Sequence, residues 1–376
     1  MPPRIRVRGR LVEELCDGTR DLLGLLRVEL DVHERRLKPR AAAADALFVK
    51  GLLTVAAACT VLAAPASATA PVRSWALPQI EIVTERGAFT ATPETFRPDD
   101  PVTAGTLARV VATVRDQPAA PVAVPGAPLT IAQLDATLVR AIGLSDAARG
   151  FYLGARRTGL KPPPRFGSEV VARLIGLRVN HPAAEDALEL QPQERATRAE
   201  AAYSVAQMLD FTGREVEAAR AAATALDLPT LTPSQRRVLQ TAVSFIGYPY
   251  VWGGEDERTE RGFDCSGFVW RVYRTAKYAE APQLAATLRG RTTVELSGEL
   301  PQAHRIAFQD LVPGDVLFFG KGRASKPKDV IHAGIYLGGG WMIHSSRFGV
   351  ALAAVDGWYR SSFAWARRPL AEAGLA

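Results

Sequence analysis

The spacing of apolar residues changes several times along this chain, and each change marks a different kind of structure. Gly51 to Ala64 is a nearly uncharged run of fourteen residues, preceded by Phe48-Val49-Lys50 and by an arginine-rich segment of mixed charge over residues 1 to 40. Further on, helical spacing appears in Leu107 to Val114 and again in Arg198 to Leu209. A third helical pattern follows Thr232-Pro233-Ser234, with Val238, Leu239, Ala242, Val243 and Phe245 on its apolar face, and Gly247 to Gly254 ends it. Cys265 to Thr275 reads as another helix, burying Phe268, Val269, Val272 and Tyr273. The period then shortens to that of strands in Asp315 to Phe319, His332 to Leu337 and Trp341 to His344, with Gly338-Gly339-Gly340 as a hairpin turn between the last two. These elements predict an α+β fold over 231–376, a helix packed on an antiparallel sheet, preceded by a mainly α-helical region over 80–230.

The stretch before residue 80 reads as an address. Gly51 to Ala64 is shorter than the roughly twenty residues a spanning helix needs, and Pro65-Ala66-Ser67-Ala68 carries the small-x-small spacing of a cleavage site. Residues 1–68 are therefore expected to be an N-terminal extension and signal peptide, with 69–79 as a linker, and the protein is expected to be secreted. A retained anchor is the other reading. Val49-Lys50-Gly51-Leu52-Leu53 would itself be a normal signal-peptide start, so translation is expected to begin at Val49. Cys59 admits a reading as a lipid-attachment residue, although the leucine usual before it is missing.

At 376 residues, 47% apolar and 23% charged, the chain is long enough for two domains. Its net charge is +7; residues 1–68 hold 11 basic and 8 acidic side chains, so the remainder carries +4. That balance, with no basic helix and no aromatic-basic motif, gives no argument for nucleic acid. It is compatible with an anionic polymer such as a bacterial cell wall.

A short repeat marks the helical region. In Phe96-Arg97-Pro98-Asp99-Asp100-Pro101-Val102-Thr103 and in Leu190-Gln191-Pro192-Gln193-Glu194-Arg195-Ala196-Thr197, a proline turn is followed five residues later by a threonine placed to cap a helix. Glu200, three residues after Thr197, would complete a capping box. Gln117 to Gly126, rich in proline and alanine, reads as a separator between helical segments. These residues resemble S-layer homology repeats, through Thr197-Arg198-Ala199-Glu200 above all; in the first copy Ala104 and Thr106 stand where that family has arginine and glutamate. The resemblance implies binding of anionic cell-wall glycan through the arginine, and a well-capped helical spacer is the alternative.

The chemistry centres on Cys265. Of three cysteines, Cys16 and Cys59 lie in or before the expected leader, so Cys265 has no partner for a disulfide or a thiolate metal cage. It falls at the first turn of its helix after Asp264, where the positive end of the helix dipole stabilises a thiolate and the Cys265 backbone N–H is a candidate oxyanion donor. His332 opens a strand at the rim of the sheet and is placed to act as general base. His344, twelve residues on across the glycine hairpin, would accept from the other ring nitrogen of His332 and fix its tautomer. An open zinc site built from Cys265, His332 and His344 is the rival chemistry, but the chain has no further thiol beyond the leader and no His-x-x-x-His pair. No metal and no cofactor are expected. His181 and His304 lack such a setting and read as surface residues.

Five blocks in order, Pro249 to Gly254, Phe263 to Val269, Leu311 to Phe319, His332 to Gly338 and Met342 to His344, resemble the NlpC/P60 domain of bacterial cell-wall cysteine peptidases. The resemblance implies Cys265 as nucleophile, His332 as base and His344 as the third polar residue. It also implies Tyr250 beside the thiol, and Asp264 and Ser266 in recognition of the substrate. What it implies for function is an exported peptidoglycan hydrolase acting on stem peptides, commonly between γ-D-glutamate and a diamino acid. A catalytically silent wall-binding or scaffold protein is the alternative. Between Phe319 and His332 the chain inserts Gly320 to Asp329, with Lys321, Arg323, Lys326 and Lys328, which is either a solvated loop or a clamp for substrate carboxylates.

Overall fold

Threonine-capped helix starts organise the first half of the molecule. The computed structural model describes residues 73–181 and 189–375; the expected leader, the start at Val49 and Cys59 lie outside them. The helices are α1 (Leu77–Glu85), α2 (Ala104–Val114), α3 (Ile131–Ala141), α4 (Ser145–Arg157), α5 (Phe166–Leu174), α6 (Arg198–Leu209) and α7 (Arg214–Ala225). The expected linker becomes helical at Leu77, where α1 buries Ile80 and Val83. The side chains of Thr103, Thr130 and Thr197 accept from the backbone N–H three residues on, satisfying a donor that the helix leaves unpaired.

Those three helix starts are laced into a closed ring by the backbone. Val102 N–H donates to the Ala196 carbonyl (2.9 Å), Ala196 to Leu129 (2.9 Å) and Leu129 to Val102 (3.0 Å). The repeat is thus threefold. Pro125-Gly126-Ala127-Pro128-Leu129-Thr130 is the middle copy, with the same proline-to-threonine spacing, so the expected separator Gln117 to Gly126 overlaps it at Pro125 and Gly126. The expected capping box at α6 does not form. Glu200 donates only its N–H to Thr197, at 3.2 Å, and turns its carboxylate inward to Arg178 and His181.

Glu200 belongs to a buried charged cluster with Asp135, Glu169, Arg173, Arg178, His181 and Glu189. His181, expected at the surface, lies here with Nε2 at 2.7 Å from Glu200 and its ring 3.9 Å from that of Trp75. Burial pulls its pKa down, but Glu189 and Glu200 outweigh that and raise it to about 9. A neutral, exposed imidazole is therefore the wrong picture for this residue. His304 is exposed.

The second half holds α8 (Pro233–Ser244), the short pair β1 (Glu255–Asp256) and β2 (Gly262–Phe263), α9 (Cys265–Trp270), α10 (Thr293–Gly298), β3 (Val316–Phe319), β4 (His332–Gly338), β5 (Trp341–Ser346), β6 (Gly349–Ala354), α11 (Gly357–Ser362), β7 (Phe363–Arg367) and α12 (Pro369–Glu372). Strands β3 to β7 form one antiparallel sheet in the order β6-β5-β4-β3-β7, and α9 packs on β4 and β5. The architecture is the expected α+β. The chain continues from α9 through a π-helical turn, Arg271–Thr275. Gly338, Gly339 and Gly340 all adopt positive φ, and a Cβ at Gly339 would fall 2.1 Å from the Asp227 carbonyl oxygen. The hairpin therefore needs glycine both for its turn and for close approach to the segment after α7.

Residues from Arg73 onward gather into one compact unit. The segments 80–230 and 231–376, expected as separate domains, share a continuous apolar core that includes Phe151, Phe166, Val205, Phe268, Ile335 and Ile343. Phe151 of α4 meets Trp341 of β5 edge to face at 5.9 Å. Alternation along the strands sends Leu317, Phe319 and Met342 to the other face of the sheet, where they pack with Val355 and Phe363.

Candidate active site

Cys265 is the first residue of α9 and is 8% exposed. The helix starts there because Asp264, in extended conformation, caps it: Oδ1 accepts from Gly267 N–H at 2.6 Å and from the Ser266 hydroxyl at 2.9 Å, while Oδ2 accepts from Gly253 N–H at 3.2 Å. Behind Asp264, Phe263 pairs with Tyr250 in a parallel bridge, so the segment carrying Tyr250 runs alongside the entry to α9.

His332 begins β4 opposite Phe319, and its Nε2 lies 2.8 Å from Nδ1 of His344 on β5. The register explains the contact. β4 and β5 pair Ile335 with Ile343, so His344 neighbours Gly334, and a Cβ at Gly334 would lie 3.2 Å from Cβ of His344. With no side chain at Gly334, the His332 ring two residues away has room to reach His344 diagonally. Tyr359 of α11 flanks both rings, at centroid distances of 6.0 Å from His332 and 5.3 Å from His344.

His344 is 2% exposed, and burial, reinforced by the neighbouring charge of His332, holds its pKa well below the ordinary histidine range. Nε2 of His332 and Nδ1 of His344 share one hydrogen bond whose donor is set by the tautomers; with His332 as the donor, its Nδ1 lone pair is available for a proton.

Arg291 was not singled out in the sequence. Its Nη1 donates to Asp264 Oδ1 (3.1 Å) and to the Ser266 hydroxyl (3.0 Å), its Nη2 to the carbonyls of Gly253 (2.8 Å) and Gly254 (3.0 Å), and its Nε to Glu255 (2.5 Å). Burial lowers its pKa, but Asp264 and Glu255 more than compensate and raise it. Nothing local marks this residue, because every hydrogen-bond partner of its side chain lies 25 or more positions away. In the inserted basic loop, Lys321 pairs with Asp329 at 2.7 Å and the chain makes two 3-10 turns, Gly322–Ala324 and Pro327–Asp329. Among the described residues no three His, Cys, Asp or Glu side chains are arranged to hold a metal ion.

Residues 247–368 match the NlpC/P60 family model. Over 118 residues the chain is 39% identical to a probable endopeptidase of Mycobacterium tuberculosis, a match covering 31% of this chain and 25% of that protein. It is 33% identical over 120 residues to the γ-D-glutamyl-L-lysine dipeptidyl-peptidase of Bacillus subtilis, covering 31% and 33%. It is 36% identical over 122 residues to a murein DD-endopeptidase of Escherichia coli, covering 31% and 39%. The chain thus spans a quarter to two-fifths of the length of these curated relatives. This protein carries an NlpC/P60 domain, the domain of a family of cysteine peptidases. The helical region before it lies outside the matched residues.

Proposed function

We propose that the protein is an exported peptidoglycan hydrolase that cleaves an amide bond of the cell-wall stem peptide, between γ-D-glutamate and the following diamino acid. The observation that carries this reading is the His332–His344 pair, held at 2.8 Å on the strands against which the Cys265 helix packs. The named activities of the relatives, a γ-D-glutamyl-L-lysine dipeptidyl-peptidase and a murein endopeptidase, supply the substrate class.

In this mechanism Nδ1 of His332 takes the Cys265 thiol proton, and the helix start stabilises the thiolate. The sulfur attacks the scissile carbonyl carbon, and backbone N–H groups at the helix start receive the developing oxyanion. The C–N bond breaks as His332 returns its proton to the leaving amine, giving a thioester at Cys265. Water, deprotonated by His332, then attacks the thioester, releasing the carboxylate and restoring the thiol. In this reading Asp264 and Ser266, oriented by Arg291, and Tyr250 on the adjacent segment hold the stem peptide.

For the helical region the reading includes attachment to anionic wall glycan. Arg198 lines a cavity of about 610 Å³ together with Arg109, Thr106, Thr113, Gln117 and Phe89. Its guanidinium stacks on Phe96 at 4.6 Å, and its Nε donates to the Phe96 carbonyl at 2.6 Å. Loss of wall co-sedimentation in Arg198→Ala supports attachment there; unchanged co-sedimentation rejects it. The catalytic reading is tested by the rate of iodoacetamide alkylation at Cys265 against pH. A thiolate paired with imidazolium stays reactive below pH 7 and loses that shoulder in His332→Ala, whereas an ordinary profile rising only above pH 8 contradicts the reading.

A further inference from the structure

The helical region reaches into the candidate site at Asn180, which follows α5. The Asn180 Oδ1 accepts from the backbone N–H of Tyr250 at 3.2 Å, its Nδ2 donates to the Tyr250 carbonyl, and its own backbone N–H donates to the Arg347 carbonyl at 2.8 Å. One side-chain amide therefore satisfies both backbone groups of Tyr250, as a neighbouring β-strand would. Only Asn or Gln carries a donor and an acceptor in that arrangement, and Gln is a methylene longer.

The other end of the same segment is gripped from α5. Arg173 donates to the carbonyls of Gly247 and Phe348, and a Cβ on Gly247 would strike the Glu169 carboxylate at 2.4 Å. The segment between these grips pairs with the strand leading into Cys265: Val251 N–H donates to the Phe263 carbonyl at 3.1 Å, and Phe263 N–H to the Pro249 carbonyl at 3.2 Å. Tyr250 is thus held between Asn180 on one side and the entry to α9 on the other.

We propose that Asn180 is a positioning residue of the peptidase site: by pairing with both backbone groups of Tyr250 it sets where that side chain stands along the entry to the Cys265 helix, and so governs binding of the stem peptide. This rests on the peptidase reading above. The helical region is then part of the catalytic unit and not only an attachment device. Residues 247–368 without it would lack the Arg173 and Asn180 contacts to the Tyr250 segment.

The test is a double-mutant cycle on the full chain, with stem-peptide cleavage and Cys265 alkylation read side by side. Asn180→Ala is expected to raise KM about tenfold with kcat within about threefold, and to leave the pH profile of alkylation unchanged. Asn180→Asp, which keeps the acceptor and loses the donor, is expected to fall between wild type and Asn180→Ala, and serves if the alanine variant does not fold. In a Tyr250→Ala background, Asn180→Ala is expected to add less than twofold. A KM within twofold of wild type for both Asn180 variants overturns the proposal while the peptidase reading stands. So does an equal effect with and without the Tyr250 side chain. A wild-type protein that cleaves no stem peptide overturns the peptidase reading, and this inference with it.

Discussion

Asp135→Asn tests the electrostatics that join α3, α5 and α6. Both carboxylate oxygens of Asp135 are buried without a hydrogen-bond partner, and the side chain is 0% exposed. Burial, with the nearby charge of Glu169 and against the attraction of Arg178 and Arg173, raises its pKa from 3.8 to about 7. Well below pH 3.8 the group is protonated whether the chain is folded or not, and it contributes no pH dependence. Between pH 4 and 7 the folded state binds the proton more tightly, so stability falls as pH rises, and the whole cost is present above pH 7. A gap of about three pH units corresponds to roughly 4 kcal/mol at pH 8 and somewhat under 2 kcal/mol at pH 5. Asparagine keeps the shape and removes the charge. Urea unfolding of wild type and Asp135→Asn at pH 5, 6, 7 and 8, with m-values checked for equality, should show the variant's advantage growing by roughly 2 to 3 kcal/mol from pH 5 to 8. An advantage that stays flat within about 0.5 kcal/mol across that range, well short of the shift linkage requires, would refute the reasoning.

Other substitutions probe the site. His344→Ala removes the acceptor that fixes the His332 tautomer and is expected to lower kcat by roughly 10²-fold with KM little changed; His344→Gln, whose amide oxygen can accept, should recover part of that loss, and equal losses in both would refute the role. Arg291→Lys keeps the charge but cannot bridge Asp264, Ser266 and two carbonyls at once, so KM should rise about tenfold; an unchanged KM would show that Asp264 and Ser266 need no such support. Neutralising Lys321, Arg323, Lys326 and Lys328 together should raise KM more than it lowers kcat if the loop clamps substrate carboxylates, and an unchanged KM on wall peptides would leave the loop as solvated surface.

How much of this was legible in the sequence depends on how far apart the partners lie. The β4–β5 hairpin and its two histidines were readable because twelve residues and three glycines leave few ways to arrange them. The helix starts were readable for the same local reason, since a threonine caps an amide three residues away. The middle repeat escaped because Pro125 to Thr130 carries no charged residue and merges with the Ala- and Pro-rich run before it. The settings of His181 and Glu200 are not legible locally because they come from Trp75, ahead of α1, and from the segments around Arg178 and Glu189, which only packing brings together. Asn180 and Arg291 act on residues 70 and 27 positions away, at distances no local pattern encodes.

The most direct measurement of the central claim is mass-spectrometric analysis of muropeptides digested by wild type and by Cys265→Ala. The account predicts that wild type splits the stem between γ-D-glutamate and the diamino acid, and that Cys265→Ala leaves the peptides intact. Intact peptides with wild type, or the same split by the alanine variant, would contradict it.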